Sequence, residues 1–293
     1  MPRQFLTLLL SLLLCTGVLA QKNTPQKYDY DPKTEKVYAV NLWLDGLAIG
    51  IGGNLLGAYG IDRVQAKDDV VVDFDRADVP GFDRWAFPSR AEARKRAAET
   101  SDIVFQSAMW LPGVLFAGKK FRKDFLDITA MYLETHAFNS ITYGWSPIGA
   151  KFIDRIRPIS YYSLEELGIT GEDDPRVEGN NRNSFFSGHV STVAVGTFFT
   201  AKVLCDYNPQ FTGTQKALIF AAASLPPAFT AIQRVRALKH FPSDTVMGFA
   251  VGAFFGVMNP HVHKNWQRKH RSRLSLSGGY GGSFGGAGVS LVF

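Results

Sequence analysis

Residues 244–258 read DTVMGFAVGAFFGVM, an apolar stretch of helical length in which Gly248, Gly252 and Gly256 recur at every fourth position. Residues four apart share one face of an α-helix, so the glycines form a smooth stripe that a neighbouring helix can approach closely. Five more apolar stretches of helical length precede this one, at residues 38–60, 101–118, 125–147, 189–206 and 216–235. The sequence therefore predicts an all-α fold, a helical bundle of about six core helices.

Segments of different composition flank the predicted bundle. Residues 1–20 have the charged start, apolar run and small-residue end of a signal peptide, and residues 21–36 form a polar lead-in. The helical domain is predicted over residues 37–263, and a basic run with a Gly-rich C-terminal tail follows at 264–293. Within the domain, the charged residues 62–100 are predicted to form a long loop.

Charge and cysteine content restrict the partners. The formal net charge is +6, which suits an anionic partner, but the 32 Lys and Arg residues are spread along the chain. No basic stripe indicates nucleic acid binding. Cys205 is the one cysteine outside the predicted signal, so no internal disulfide is expected.

Membrane topology is judged from the distribution of charge. If all six helices crossed a membrane after signal cleavage, the basic residues 119–123 and 264–273 would lie on the outer face, against the positive-inside tendency. Asp45 would lie in the middle of the first span, at a cost of about 2.5 to 3.5 kcal/mol. The sequence favours an exported domain of the periplasm or cell envelope, in contact with a membrane surface, with an integral membrane protein as the alternative.

Three short segments carry the candidate catalytic and phosphate-binding residues. They read KFIDRIRP at residues 151–158, SFFSGH at 184–189 and RVRALKHFPSD at 234–244. Taken singly, each has an ordinary structural interpretation as a solvated helix end, a core histidine or an ion pair. Taken together, they supply what phosphoryl transfer without a metal requires.

A transferring phosphoryl group spreads negative charge over three oxygens and needs fixed cations and N–H donors around it. The expected phosphate-binding residues are Lys151, Arg157, Ser187, Gly188 and Arg234. Three of them are cations, and the two others open a predicted helix, whose N-terminal N–H groups favour an anion.

Two histidines are expected to take different catalytic roles. One imidazole must attack phosphorus while neutral, and the other must give a proton to the leaving oxygen. Asp244 follows His240 by four residues and can hold its second nitrogen, so His240 is the predicted nucleophile and His189 the predicted acid. The pair His261 and His263 lacks a nearby carboxylate in sequence, so no metal and no cofactor are predicted.

Residues 101–258 resemble the superfamily of type 2 phosphatidic acid phosphatases and vanadium haloperoxidases, in which bacterial acid and lipid phosphatases share a helical bundle. The resemblance is carried by Ser187-Gly188-His189 and by Arg234, His240 and Asp244 at the family spacing. It implies that His240 is the nucleophile, His189 the proton donor and Asp244 the residue that orients His240, and that the cations with Ser187 and Gly188 hold the phosphate.

The sequence departs from the family pattern in the first segment. Lys151 and Arg157 have five residues between them where the pattern has six. Residues six apart diverge by about 120° around a helix, so Lys151 is expected to contact phosphate more loosely than Arg157.

The predicted function is hydrolysis of a phosphate monoester or pyrophosphate, lipid or small molecule, through a phosphohistidine. A vanadium-dependent haloperoxidase and a noncatalytic anion-binding envelope protein are the alternatives.

Overall fold

The computed structural model describes residues 35–70, 74–87, 93–170, 174–271, 274–281 and 284–291, with side chains as far as residue 268. The predicted signal peptide, and the predicted lead-in up to residue 34, lie outside the described residues. The helices are α1 (Leu42–Gln65), α2 (Ala93–Trp110), α3 (Lys119–Arg122), α4 (Phe125–Trp145), α5 (Gly188–Asp206), α6 (Gly213–Arg236) and α7 (Pro242–Arg271). In α1, the first part, Leu42–Gly52, is π-helical. Short 3₁₀ turns lie at Arg76–Asp78, Arg84–Ala86, Leu111–Ala117, Pro158–Tyr161 and Gly179–Arg182.

The predicted all-α bundle is confirmed, and α5 lies at its centre. Helices α2, α4, α6 and α7 all pack against α5, and α1 packs along α4. Two apolar clusters fill the spaces beside α5. The first includes Phe199, Met131 and Ile128 between α5 and α4, and the second includes Phe198 and Phe249 between α5 and α7. Burial of these side chains is the main favourable contribution to the fold.

The glycine stripe of α7 packs closely against a neighbouring helix, as predicted, and that helix is α5. A methyl group added at Gly248 would lie 2.4 Å from the carbonyl oxygen of Ser187, and one at Gly252 would lie 2.0 Å from that of Ser191. At Gly256 the nearest atom would be the Cβ of Phe198, at 3.0 Å. The close approach brings the start of α7 directly beside the start of α5.

Two helices extend beyond their predicted limits. Helix α2 begins at Ala93, inside the segment predicted to be a loop, because residues 93–100 are rich in Ala, Arg, Lys and Glu, which favour helix. Helix α7 continues through Pro260 to Arg271, so the basic run is helical as far as residue 271.

The Gly-rich segment, predicted to be a tail, pairs as an antiparallel hairpin of β1 (Leu274–Gly281) and β2 (Phe284–Leu291). Leu and Ser alternate at residues 274–277, which is the period of a strand. The helical spacing of apolar residues that recurs between residues 38 and 258 is absent from residues 274–277.

Three helices of the described chain are long and apolar enough to cross a membrane: Leu42–Gln65, Gly213–Arg236 and Pro242–Arg268. All three carry large apolar side chains on the outer face of the bundle, such as Trp43, Leu225 and Phe254, which are 79%, 66% and 53% exposed. Exposed apolar surface on this scale is typical of proteins that contact a membrane.

Candidate active site

The three sequence motifs meet at one end of the bundle, where backbone hydrogen bonds join them. The amide of Ser184 donates to the carbonyl of Arg155 (2.9 Å), which ties the second motif to the first. The amide of Ser187 donates to the carbonyl of Asp244 (3.0 Å), which ties the second motif to the third. Residues 29 and 57 positions apart in sequence therefore form one local framework.

The turn between α6 and α7 sets the position of His240. The amide of Lys239 donates to the carbonyl of Arg234, and the amide of Leu238 to that of Val235, which together form a Schellman cap. Leu238 takes the left-handed conformation that this cap requires (φ 57°), although glycine is the usual residue there. Its buried side chain packs with Ile159, which holds the turn in place.

The predicted phosphate-binding residues present buried donors. Arg157 and Arg234 are 7% and 6% exposed, and Ser187 is fully buried. Among the residues that the structure describes, Arg157 Nε, Arg234 Nε and Ser187 Oγ have no hydrogen-bond partner. Ser187 is the N-cap residue of α5, yet its hydroxyl does not cap the helix. Buried donors left unsatisfied cost about 1 to 3 kcal/mol each, so an anion that accepts from them is strongly favoured.

His240 has the geometry and protonation of a nucleophile. Its side chain is 2% exposed, and Nδ1 lies 2.6 Å from the carbonyl oxygen of Ser184. A carbonyl only accepts, so Nδ1 carries the proton and Nε2 keeps its lone pair. Burial and the positive charges of Arg157 and Arg234 hold the pKa of His240 well below its ordinary value. The ring is therefore neutral at physiological pH.

Asp244 does not contact His240 in the predicted way. Its carboxylate accepts from Ser184 Oγ (2.5 Å), from the amide of Phe241 (2.7 Å) and from Arg155. His240 Nδ1 donates to the carbonyl of Ser184 instead. Because it binds residues 184 and 241, Asp244 ties together the two backbone segments that flank the His240 ring.

Arg155 is a structural cation that the sequence analysis did not single out. Its guanidinium bridges Asp244 and Asp83 (2.6 Å to Asp83 Oδ2) and donates to Ser243 Oγ. It also stacks over the ring of Phe241 at 4.5 Å. Since its terminal donors are used on these partners, Arg155 fixes the start of α7.

His189 pairs with a carboxylate that lies outside the motifs. Its Nε2 is 3.0 Å from Oδ1 of Asp102 on α2, and its ring lies 4.7 Å from that of Phe105. The same Asp102 oxygen is 3.4 Å from Arg234. Asp102 and His189 are 87 positions apart, and no local pattern around Asp102 marks it as a site residue.

The pKa of His189 reflects the surrounding cations. Burial and the charges of Arg234, Arg157 and Lys239 lower it to about 3. A phosphate dianion between these cations offsets their charge and raises the pKa again. Protonation of His189 is thus coupled to binding of an anion.

The structure does not bring Lys151 into this cluster. Lys151 is exposed, and its ammonium lies over the ring of Trp145 at 4.2 Å. Lys151 lies in the irregular turn after α4, and its side chain is directed outward. The shortened spacing between Lys151 and Arg157 therefore keeps the lysine away from the other site residues. Lys239 is the additional cation near the site, with its pKa lowered to about 8 by burial and by Arg157 and Arg234. The sequence indicated this cation only by the position of Lys239 directly before His240.

The prediction that His263 has no carboxylate neighbour is wrong. His263 is buried, and its Nε2 lies 2.7 Å from Glu134 Oε2. Its sequence neighbour His261 is exposed and contacts Asn265. Two helices separate Glu134 from His263 in sequence, so the contact could not be read from local spacing.

Comparison with known proteins adds one finding. The family model of the PAP2 superfamily matches residues 128–268, a range that includes all three motifs. No curated protein and no solved structure matches the chain. The match over residues 128–268 is to the superfamily of the type 2 phosphatidic acid phosphatases, the one that the sequence motifs predicted.

Proposed function

We propose that the chain is a metal-independent phosphatase that hydrolyses a phosphate monoester or pyrophosphate through a phosphohistidine on His240. The observation that carries the proposal is the set of buried donors on Arg157, Arg234 and Ser187 beside the neutral ring of His240. A tetrahedral phosphoryl group satisfies these donors and lies within reach of the nucleophile.

The reaction takes place in two steps. In the first, the lone pair of His240 Nε2 attacks phosphorus, the bond to the leaving oxygen breaks, and His189 gives that oxygen a proton. In the second, His189 takes a proton from water as the water oxygen attacks phosphorus. The N–P bond breaks, and inorganic phosphate leaves. Arg157, Arg234, Ser187 and the first N–H groups of α5 at Gly188 stabilise the charge on the oxygens in both steps.

The apolar outer faces of α1, α6 and α7 support a substrate delivered from a membrane, such as a lipid phosphate or an isoprenoid pyrophosphate. These apolar faces also favour a bundle embedded in the membrane over one bound to the membrane surface. The sequence argument against embedding was the charge of Asp45 in the first span. Asp45 is 5% exposed and faces the interior of the bundle, where its carboxylate accepts from the amide of Asn41 (2.8 Å). We place the protein in the cell envelope, exported by the predicted signal peptide.

A hydrolysis screen tests the proposal. Phosphatidic acid, an isoprenoid pyrophosphate and a small chromogenic phosphate are offered to the detergent-solubilised protein in the presence of a chelator. Hydrolysis of at least one substrate, with inhibition by vanadate, is expected. Abolition by the chelator, with recovery on addition of Mg²⁺, would contradict it. Halide oxidation with vanadate and peroxide, without hydrolysis, would indicate the haloperoxidase alternative.

A pair of substitutions on α6 tests the binding residues. Arg234→Ala is expected to weaken vanadate inhibition roughly a hundredfold, because one guanidinium fork contributes several kcal/mol at such a site. Arg236→Ala is the matched control, since Arg236 lies two residues further along the same helix and is exposed. Tight vanadate binding with no hydrolysis of any substrate would favour the noncatalytic alternative.

A further inference from the structure

A second cluster of ionisable groups lies far from the phosphatase site. Asp45 on α1, Glu134 on α4 and His263 on α7 are 5%, 4% and 4% exposed, and one ligand atom from each lies within 4.8 Å of the other two. His263 lies 19 residues beyond Asp244 along α7, or about 28 Å at the rise of an α-helix. The cluster therefore belongs to the opposite end of the bundle.

Close helix packing holds the three side chains together. A methyl group added at Gly46 would lie 3.2 Å from Ala130 Cβ, and one at Gly50 would lie 3.1 Å from Leu133 Cβ. Helix α1 therefore approaches α4 closely in the turn that follows Asp45. Asp45 also lies in the π-helical part of α1, a form that occurs frequently at functional sites.

The hydrogen-bonding groups around His263 do not match a neutral ring. Nδ1 lies 2.6 Å from the carbonyl oxygen of Ala39, and Nε2 lies 2.7 Å from Glu134 Oε2. Both partners only accept, whereas a neutral imidazole has one N–H and one lone pair. One ring nitrogen donates its proton to an acceptor, and the other needs a second proton or a metal ion between itself and an oxygen.

Charge balance favours the metal ion. Two carboxylates beside one imidazolium leave a net charge of −1 in a buried site. In the described part of the chain, neither Asp45 nor Glu134 forms an ion pair with Lys or Arg. A divalent cation with a neutral imidazole and two carboxylates gives a net charge of zero, which removes the penalty of an uncompensated buried charge.

We propose that Asp45, Glu134 and His263 bind a divalent transition metal ion, for which Zn²⁺ is the best match. Zn²⁺ takes His nitrogen and carboxylate oxygen at 2.0 to 2.2 Å in tetrahedral geometry, which puts ligand atoms about 3.4 Å apart. One ligand atom from each residue lies within 4.8 Å of the other two, and His263 Nε2 is 2.7 Å from Glu134 Oε2, so modest side-chain movements bring the ligand atoms to that separation.

The surrounding groups match the outer shell of a metal site. Asn259 donates to Glu134 Oε2 (3.0 Å), and the same amide nitrogen is fixed by the Met131 carbonyl (3.1 Å). The ring nitrogen of His263 that does not bind the metal keeps its proton and donates to its acceptor, as metal-bound histidines usually do. The ion joins α1, α4 and α7, so its role is to stabilise this end of the bundle. It takes no part in the reaction of His240.

The test is Zn²⁺ binding by the purified full chain without a histidine tag. After removal of metal with a chelator, one Zn²⁺ per chain is expected to bind, measured by calorimetry and by elemental analysis. The melting temperature is expected to rise by about 5 °C at a hundredfold excess of Zn²⁺ over its Kd. Co²⁺ in place of Zn²⁺ is expected to give the visible absorption of a tetrahedral centre.

Three variants locate the ion. His263→Gln and Glu134→Gln are expected to weaken Zn²⁺ binding roughly a hundredfold or more, since loss of a ligand exceeds the usual loss for an outer-shell residue. His261→Gln, two residues away and exposed, is expected to bind Zn²⁺ like the parent. Vanadate binding at the other end of the bundle reports whether each variant is folded, and Asp45→Asn replaces any variant that is not.

Two results would overturn the proposal. One is a parent protein that binds no more Zn²⁺ than His263→Gln, which would make the cluster a proton-bridged ion pair. The other is Zn²⁺ binding that is undiminished in folded His263→Gln and Glu134→Gln. The parent's own stoichiometry decides the question even if every variant fails to fold. Metal-stripped protein is expected to hydrolyse substrate below its melting temperature. Failure of the Zn²⁺ proposal can therefore be told apart from failure of the phosphatase proposal.

Discussion

Replacement of Asp102 by Asn is expected to shift the pH dependence of turnover while the catalytic groups stay in place. Asp102 Oδ1 lies 3.0 Å from His189 Nε2, and the Asp102 side chain is 55% exposed. Its negative charge stabilises the protonated form of His189 and so raises the pKa of that ring. Because Asp102 is a positioning residue, which does not touch phosphate in the proposed reaction, its loss changes proton transfer more than binding.

The magnitude follows from the distance. Two unit charges 3.0 Å apart interact by about 1.4 kcal/mol in the dielectric of bulk water, the appropriate limit for a carboxylate with more than half its side chain exposed. This energy corresponds to about one pKa unit. His189 must be protonated to act as the acid, so kcat falls as pH rises through the pKa of His189 in the substrate complex. In Asp102→Asn that decline is expected about one pH unit lower.

The assay is the pH profile of kcat at saturating substrate. Well above the midpoint, kcat of Asp102→Asn is expected to fall to about one tenth of the parent value, and well below it the two proteins are expected to agree. Glu99→Gln removes the same charge from an exposed position one turn earlier on α2 and is expected to leave the profile unchanged. A uniform loss of kcat at every pH, with no shift, would refute the role assigned to Asp102.

Two further pairs of substitutions test the site and the packing. Lys239→Ala is expected to lower kcat/KM roughly tenfold, because it removes a partly buried cation beside Arg157, whereas Lys151→Ala is expected to change it less than about twofold. Kinetics on both variants check this, and an equal loss for Lys151→Ala would show that the lysine turns back to the phosphate. Gly252→Ala is expected to cost about 3 kcal/mol or more in the free energy of unfolding, because its methyl group would lie 2.0 Å from the Ser191 carbonyl, whereas Gly213→Ala meets nothing within 4 Å. Chemical denaturation of both variants measures the difference, and equal stabilities would contradict the close approach of α7 to α5.

A fractionation experiment tests the membrane proposal. The protein is expected to stay in the membrane fraction after carbonate treatment, because its exposed apolar faces lose contact with water only in the bilayer. Release into the supernatant would favour a peripheral protein, the arrangement that the charge distribution of the sequence suggested.

The residues predictable from sequence are those whose chemistry is encoded in local spacing. His189, His240, Arg234 and Asp244 lie in short motifs, and the structure joins these motifs at one end of the bundle. The glycine stripe of α7 was predictable for the same reason, since a period of four is visible within one helix.

The residues that were missed depend on contacts between distant helices. Asp102 on α2 and His189 on α5 meet because both helices pack together, and nothing near residue 102 indicates it. The cluster of Asp45, Glu134 and His263 likewise joins three helices. Conversely, the first motif predicted that Lys151 contacts the phosphate loosely, whereas the irregular turn after α4 directs its side chain outward.

The central claim is that a phosphoryl group is transferred to His240, and rapid-quench labelling tests it most directly. Labelled substrate is mixed with protein, and the reaction is stopped within one turnover. The parent and His261→Ala, an exposed histidine control, are expected to give an acid-labile, base-stable phosphoenzyme. His240→Ala is expected to give none and to lose roughly a thousandfold or more in turnover. Label that persists in folded His240→Ala, or that has the acid stability of phosphoserine, would contradict the account.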